Sequence, residues 1–160
     1  MNGLRVRSVG AGDVRMSGLE PVMAAVLLEV PAILENRDRP EARRRLLPDP
    51  LPGDPLATAE WHRLMDGELL HLFASAGEVF ERDLRGLRPD LGEITFPAKH
   101  LAAWMSAINQ ARLILGELHA VGEEDMTLQN VDADESRRGA IARIMVLGYM
   151  LEHLVRHAEH

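Results

Sequence analysis

The residues able to do chemistry are few, and Arg112 stands out among them. It lies in the run Trp104-Met105-Ser106-Ala107-Ile108-Asn109-Gln110-Ala111-Arg112-Leu113-Ile114-Leu115-Gly116, at a helix-period position where a leucine is expected. Glu68 projects within the apolar arc of an earlier helical segment, Glu60 sits at its margin, and Asn109 adjoins Arg112 three residues back along its own helix. Burying a carboxylate is costly unless it is paired. Glu60, Glu68, Asn109 and Arg112 therefore admit two readings. One is a pocket in which the planar fork of Arg112 takes a carboxylate or phosphate. The other is an internal network joining two helices, with Arg112 forked onto Glu60 or Glu68. The second is preferred, because a lone carboxylate–arginine pair without a nucleophile or a metal cluster specifies no reaction.

Two further groups carry charge or ligating atoms. Arg37, Arg39, Arg43, Arg44 and Arg45 crowd into 36–54, ahead of Pro48, Pro50, Pro52 and Gly53. Such a cluster suits a phosphate or an acidic partner, but a solvated basic loop balancing an acidic chain is the simpler reading. His153, His157 and His160 share a helix face and have the donor type for zinc or nickel. No orienting carboxylate beyond Glu152 or Glu159 accompanies them, so no metal and no other cofactor is expected. His119 reads as a core histidine, whereas His62, His71 and His100 carry no motif.

The elements that must position these groups follow from periodicity. Leu4 to Val9 alternates apolar with polar, Gly10-Ala11-Gly12-Asp13 supplies a turn, and Val14-Arg15-Met16 resumes the alternation, predicting a β-hairpin over 1–16. Two strands alone are marginal in water, and Glu93-Ile94-Thr95-Phe96 is the candidate third. Ser17 with Glu20 has the form of a capping box for a first helix whose core arc is Leu19, Val22, Met23, Val26, Val30 and Ile33. Pro31 predicts a kink or an end near Val30. A short helical turn is expected over Glu41 to Leu47.

Asp54-Pro55 is a strong start for a helix running to about Arg85. Its predicted core arc is Trp61, Leu64, Met65, Leu69, Leu72, Ala76 and Val79. Pro97 is placed to open the next helix, whose core stripe is Leu101, Trp104, Ile108, Ala111, Leu115 and Leu118. Gly116 within it costs roughly 1 kcal/mol relative to alanine, which close approach by another backbone would justify. Gly122 is a plausible stop, and Asp132 or Asp134 a possible cap for the last helix. That helix is apolar nearly all round. Ile144, Leu147, Leu151, Leu154 and Val155 form one face, with Met145, Val146, Tyr149 and Met150 opposite, so it is expected to be central or shared in a homodimer.

Composition sets the class. With 160 residues, 46% hydrophobic and 27% charged, the chain fits one globular domain with a core of its own. The lack of cysteine excludes thiol catalysis, zinc ribbons and iron–sulfur clusters, and it fits a reducing cytoplasm. Neither a signal-like N-terminus nor an 18-residue apolar run is present, so membrane association is not expected. A formal charge of −7 disfavours nucleic-acid binding, which needs a surplus of Lys and Arg on the surface. Lys99 is the only lysine beside many arginines, the usage of a GC-rich bacterial genome. Walker, G-x-S-x-G, G-x-G-x-x-G and H-E-x-x-H patterns are all missing.

Arg45-Leu46-Leu47-Pro48-Asp49, then Asp54-Pro55 with Ala59-Glu60-Trp61-His62-Arg63, then the Trp104 to Gly116 run, resemble in order and content the bacterial proteins grouped as domain of unknown function 2017. His62 replaces another basic residue of that pattern and Ile108 replaces a leucine. The resemblance implies a shared fold but little function, because the family has no established activity; a transcriptional-regulator label on some members is a hint of regulation.

The expectation is thus a mainly α fold of about four principal helices with a small N-terminal β-hairpin and a possible third strand. The first functional reading is a cytoplasmic, non-catalytic regulatory or adaptor protein, homodimeric through its last helix and binding an unidentified protein partner. A small-molecule sensor or enzyme binding an anion at Arg112 is the alternative, and a nucleic-acid-binding regulator using Arg37 to Arg45 is a second one.

Overall fold

The computed structural model describes residues 3–122 and 135–160. Asp132 and Asp134, the expected caps of the last helix, lie outside the described residues. The elements run β1 (Arg5–Val9), β2 (Asp13–Ser17), α1 (Pro21–Leu34), a 3-10 turn (Glu35–Asp38), α2 (Pro40–Leu46), α3 (Pro55–Leu84), β3 (Glu93–Pro97), a second 3-10 turn (Ala98–His100), α4 (Leu101–Leu118) and α5 (Glu135–Ala158). The fold is mainly α, with the hairpin extended by β3 into a three-stranded antiparallel sheet in the order β1-β2-β3.

The sheet uses the alternation read from the sequence. Met16 pairs with Ile94 and Val14 with Phe96, all four buried on the face that meets the helices. Phe96 stacks on Trp104 of α4 with ring centroids 4.3 Å apart, and Phe80 of α3 meets the same indole at 4.5 Å in a tilted arrangement. Buried aromatic rings favour such offset and tilted contacts. Trp104 donates its Nε1–H to Asp83 Oδ2 at 3.0 Å, so its polar edge is satisfied inside the fold, and His100 Nδ1 lies 2.8 Å from the same oxygen.

Gly92 enters β3 with φ +62°, and its amide plane meets the link between β2 and α1. A Cβ there would sit 2.5 Å from Leu19 O, while Leu19 N–H donates to Gly92 O at 2.9 Å. Only glycine combines that φ with that approach.

Ser17 does not cap α1. It is the last residue of β2, paired with Arg5 and Glu93, and α1 begins at Pro21 without a side-chain cap. The ladder's hydrogen bonds outweigh a single capping bond. Nor does α1 stop at Val30, since it continues through Pro31 to Leu34 before tightening into the 3-10 turn. Val26, Leu27, Val30 and Leu34 are buried and bracket the proline, so packing outweighs the lost hydrogen bond, whereas Val22 is exposed.

At the fold's centre is α4, bordered by α1, α2, α3 and α5. Its buried face is broader than the predicted stripe and takes in Ala107, Gln110 and Ile114. The apolar surface of α5 is largely covered by α4, α1 and β1, with Met150 fully buried and Met145 and Val155 left exposed.

Candidate functional site

The first half of α3 faces solvent. Asp54 caps it, accepting from Ala57 N–H at 3.1 Å, and Pro55 occupies the first turn, as the sequence predicts. The buried residues of α3 are Gly77, Phe80 and Leu84, all in its second half. The predicted core arc is therefore rotated away from the core: Trp61 is 41% exposed, Leu64 60% and Leu72 55%. On the inward arc of the first half stand His62 and Asp66, which are polar and make their own contacts.

This rotation removes the partners expected for Arg112. Glu60 is exposed and pairs through both carboxylate oxygens with Arg63, whose guanidinium holds the Glu60 carboxyl below its ordinary range. Glu68 and Asn109 are exposed. The clasp from Arg112 to Glu60 or Glu68 is thus not formed, because both carboxylates lie on the outward arc of α3.

Arg112 instead lies across α5. A Cβ on Gly148 would stand 3.4 Å from its Nε and NH2 atoms, so a hydrogen at that position lets the guanidinium rest on the helix backbone. Its Nε is buried and has no hydrogen-bond partner, and no carboxylate among the described residues pairs with it. Beside it opens a cavity of about 290 Å³ lined by Arg45, Arg112, Leu113, Gly116, Glu117, Val121, Gly122 and Ile144. Arg45 Nε stands 3.8 Å from Glu117 at this rim. Close backbone approach does not explain Gly116, where a Cβ would be 3.8 Å from Val121 O, an ordinary contact.

The arginine cluster does not form one patch. Arg37 turns inward and donates from Nε to Gln110 Oε1 at 3.0 Å, while Gln110 Nε2 donates to Phe73 O and Ser106 Oγ, each at 3.1 Å. Gln110 is 2% exposed, and both its polar atoms are hydrogen-bonded. Gly77 makes room, since a Cβ there would be 3.0 Å from Arg37 NH2. Burial lowers the Arg37 pKa, against the raising effect of Asp38 and Glu78. Arg45 goes to the Arg112 cavity, Arg39 is exposed ahead of α2, and Arg43 and Arg44 border a third region.

That region is a cavity of about 410 Å³ lined by Arg43, Arg44, Leu47, Pro48, Asp49, His62 and Asp66. His62 bridges two carboxylates, with Nδ1 2.8 Å from Asp66 Oδ1 and Nε2 2.8 Å from Asp49 Oδ1. Hydrogen bonding to Asp66 first, then to Asp49, raises the His62 pKa above its ordinary value. A ring that serves two acceptors must carry both protons, so the imidazolium ties the loop after α2 to α3.

Sequence reasoning missed Gln110, His62 and the pairing of Asp83 with Trp104 and His100. His62 and Asp66 are one helical turn apart, a signal that was available, whereas Gln110 offered only its place in a buried run. His153 Nδ1 is 2.9 Å from Tyr149 O, and His157 Nε2 is 3.5 Å from Ser8 Oγ. His160 is exposed, so the three do not converge. His119 stands at the C-terminal end of α4 near Ser136, partly exposed rather than in the core. Among the described residues no group of three or more His, Asp or Glu side chains forms a metal site, and no helix is long and apolar enough to cross a membrane.

Comparison with known proteins gives a family model, described as Domain of unknown function (DUF2017), that matches residues 11–158. No curated protein and no solved structure matches the chain.

Proposed function

From a chain that belongs to the DUF2017 family, we propose a non-catalytic regulatory or adaptor protein that works by holding another protein on the first half of α3. The carrying observation is the apolar surface of Trp61, Leu64 and Leu72, exposed along one helix and interrupted by Glu68. From Trp61 to Leu72 a helix rises about 16 Å, three turns of a binding ridge. Exposed apolar groups aligned on one element mark interaction sites more often than scattered ones do, and a tryptophan is a frequent anchor.

Two rival readings have less support. Nucleic-acid binding needs a contiguous basic surface, whereas Arg37, Arg45 and the Arg43–Arg44 pair serve three different places. Self-association through α5 has Met145 and Val155 to rest on, because the rest of its apolar surface is largely taken up within the chain. A cytoplasmic location belongs to the proposal and rests on the lack of cysteine.

The test compares wild type with Leu64→Asp/Leu72→Asp in affinity capture from the native cell extract, with light scattering on both purified proteins. The proposal expects a discrete companion protein that the variant loses while its thermal unfolding is unchanged. Equal capture by both proteins rejects the α3 surface.

A further inference from the structure

We propose that the cavity between α2, α4 and α5 is a binding site for a small organic monocarboxylate with a short apolar body, held by Arg112. The inference is independent of the α3 surface. An arginine stays charged in any protein setting, and a partly buried guanidinium is normally forked onto an anion. Arg112 is partly buried, its Nε is sealed against α5, and no carboxylate among the described residues answers it. Its open side is the cavity.

The walls define the ligand. Leu113, Val121 and Ile144 are apolar, and Gly116 adds no side chain to the wall. Arg45 is the second cation, held loosely by Glu117 at 3.8 Å. A planar carboxylate matches the donor edge of Arg112, and its hydrocarbon end then meets the aliphatic wall. The Glu117 carboxylate at the rim disfavours a dianion, since one unpaired cation cannot balance two ligand charges beside a third negative group. Inorganic phosphate is accordingly the poorer ligand. At about 290 Å³ the cavity has room for a branched short-chain acid.

The probe is 3-methylbutanoate, titrated at constant ionic strength into the ¹⁵N-labelled protein while the arginine Nε–Hε and the Leu113 and Ile144 signals are followed. Saturable shifts of Arg112, Leu113 and Ile144 together are expected. Arg112→Gln should weaken binding by at least about tenfold. Gly116→Leu, which narrows the cavity and leaves Arg112 in place, should weaken it similarly and covers the case in which the arginine variant unfolds. 3-Methylbutanamide and inorganic phosphate should each bind about tenfold more weakly than the acid. The proposal is overturned by shifts that do not saturate, by binding that survives both variants, or by phosphate binding as tightly as the acid.

Discussion

Arg37 Nε donates to Gln110 Oε1 at 3.0 Å, joining the 3-10 turn after α1 to the middle of α4 across 73 positions of sequence. With Phe73 O and Ser106 Oγ taking the Gln110 amide hydrogens, this is the internal polar clasp of the helical core, the role that the sequence suggested for Arg112. Truncating Gln110 to alanine strands Arg37 Nε–H and leaves a void. A loss of about 2–4 kcal/mol is expected in urea unfolding. Arg37→Leu/Gln110→Leu removes both partners while keeping volume and should recover at least half of that loss. A double-mutant cycle with no coupling would show that the two side chains do not act together.

The His62 bridge makes stability depend on pH in a fixed direction. Its folded pKa is raised above 6.5, chiefly by Asp66 and then by Asp49, so its contribution is complete below 6.5 and is lost as pH rises through the folded value. Wild type should therefore lose thermal stability relative to His62→Gln on going from acidic to mildly alkaline solution. The imidazole carbon-bound protons of His62 should titrate above the ordinary histidine value. A difference between the two proteins that stays flat with pH would contradict the bridge.

Two glycines should respond oppositely to the same change. Gly92→Ala adds a Cβ 2.5 Å from Leu19 O at a φ of +62°, and a loss of about 2 kcal/mol or more is expected. Gly116→Ala adds one at 3.8 Å from its nearest neighbour outside the helix, so the gain in helix propensity, up to about 1 kcal/mol, should appear as a higher denaturation midpoint. Equal effects at the two sites would refute the distinction.

Local signals in this chain were legible where nothing opposed them. The Asp54-Pro55 start of α3, the hairpin and the third strand all follow from short-range chemistry, and the structure has each of them. Ser17 with Glu20 satisfies a capping pattern, yet Ser17 belongs to the sheet, because pairing with distant Glu93 is invisible to a four-residue motif. The larger miss is the facing of α3. Trp61, Leu64, Met65, Leu69 and Leu72 make a longer apolar stripe than Phe73, Gly77, Phe80 and Leu84, so periodicity favours a stripe whose Trp61, Leu64 and Leu72 are exposed and whose Met65 and Leu69 are half-buried. That stripe carries Glu68 within it and Glu60 at its margin, and the expected clasp to Arg112 follows from that one rotation. Gln110 was hidden for the opposite reason: α4 is covered on several sides, and a central helix has no polar face to betray its register.

If α3 serves binding rather than folding, its exposed apolar residues should be dispensable for stability. Leu64→Ala and Leu72→Ala are each expected to change unfolding free energy by no more than about 0.5–1 kcal/mol, near the range of surface substitutions. Losses near 3 kcal/mol in chemical denaturation would mean that the stripe is packed within the molecule.

The most direct measurement is site-specific photo-crosslinking in the native cell, with benzoylphenylalanine replacing Leu64 on the exposed stripe or Glu81 on the charged side of the same helix. The account predicts a discrete heavier adduct from position 64, containing one copy of this chain and a different protein, and none of that mass from position 81. No adduct from either position, the same adduct from both, or an adduct of two copies of this chain would contradict it.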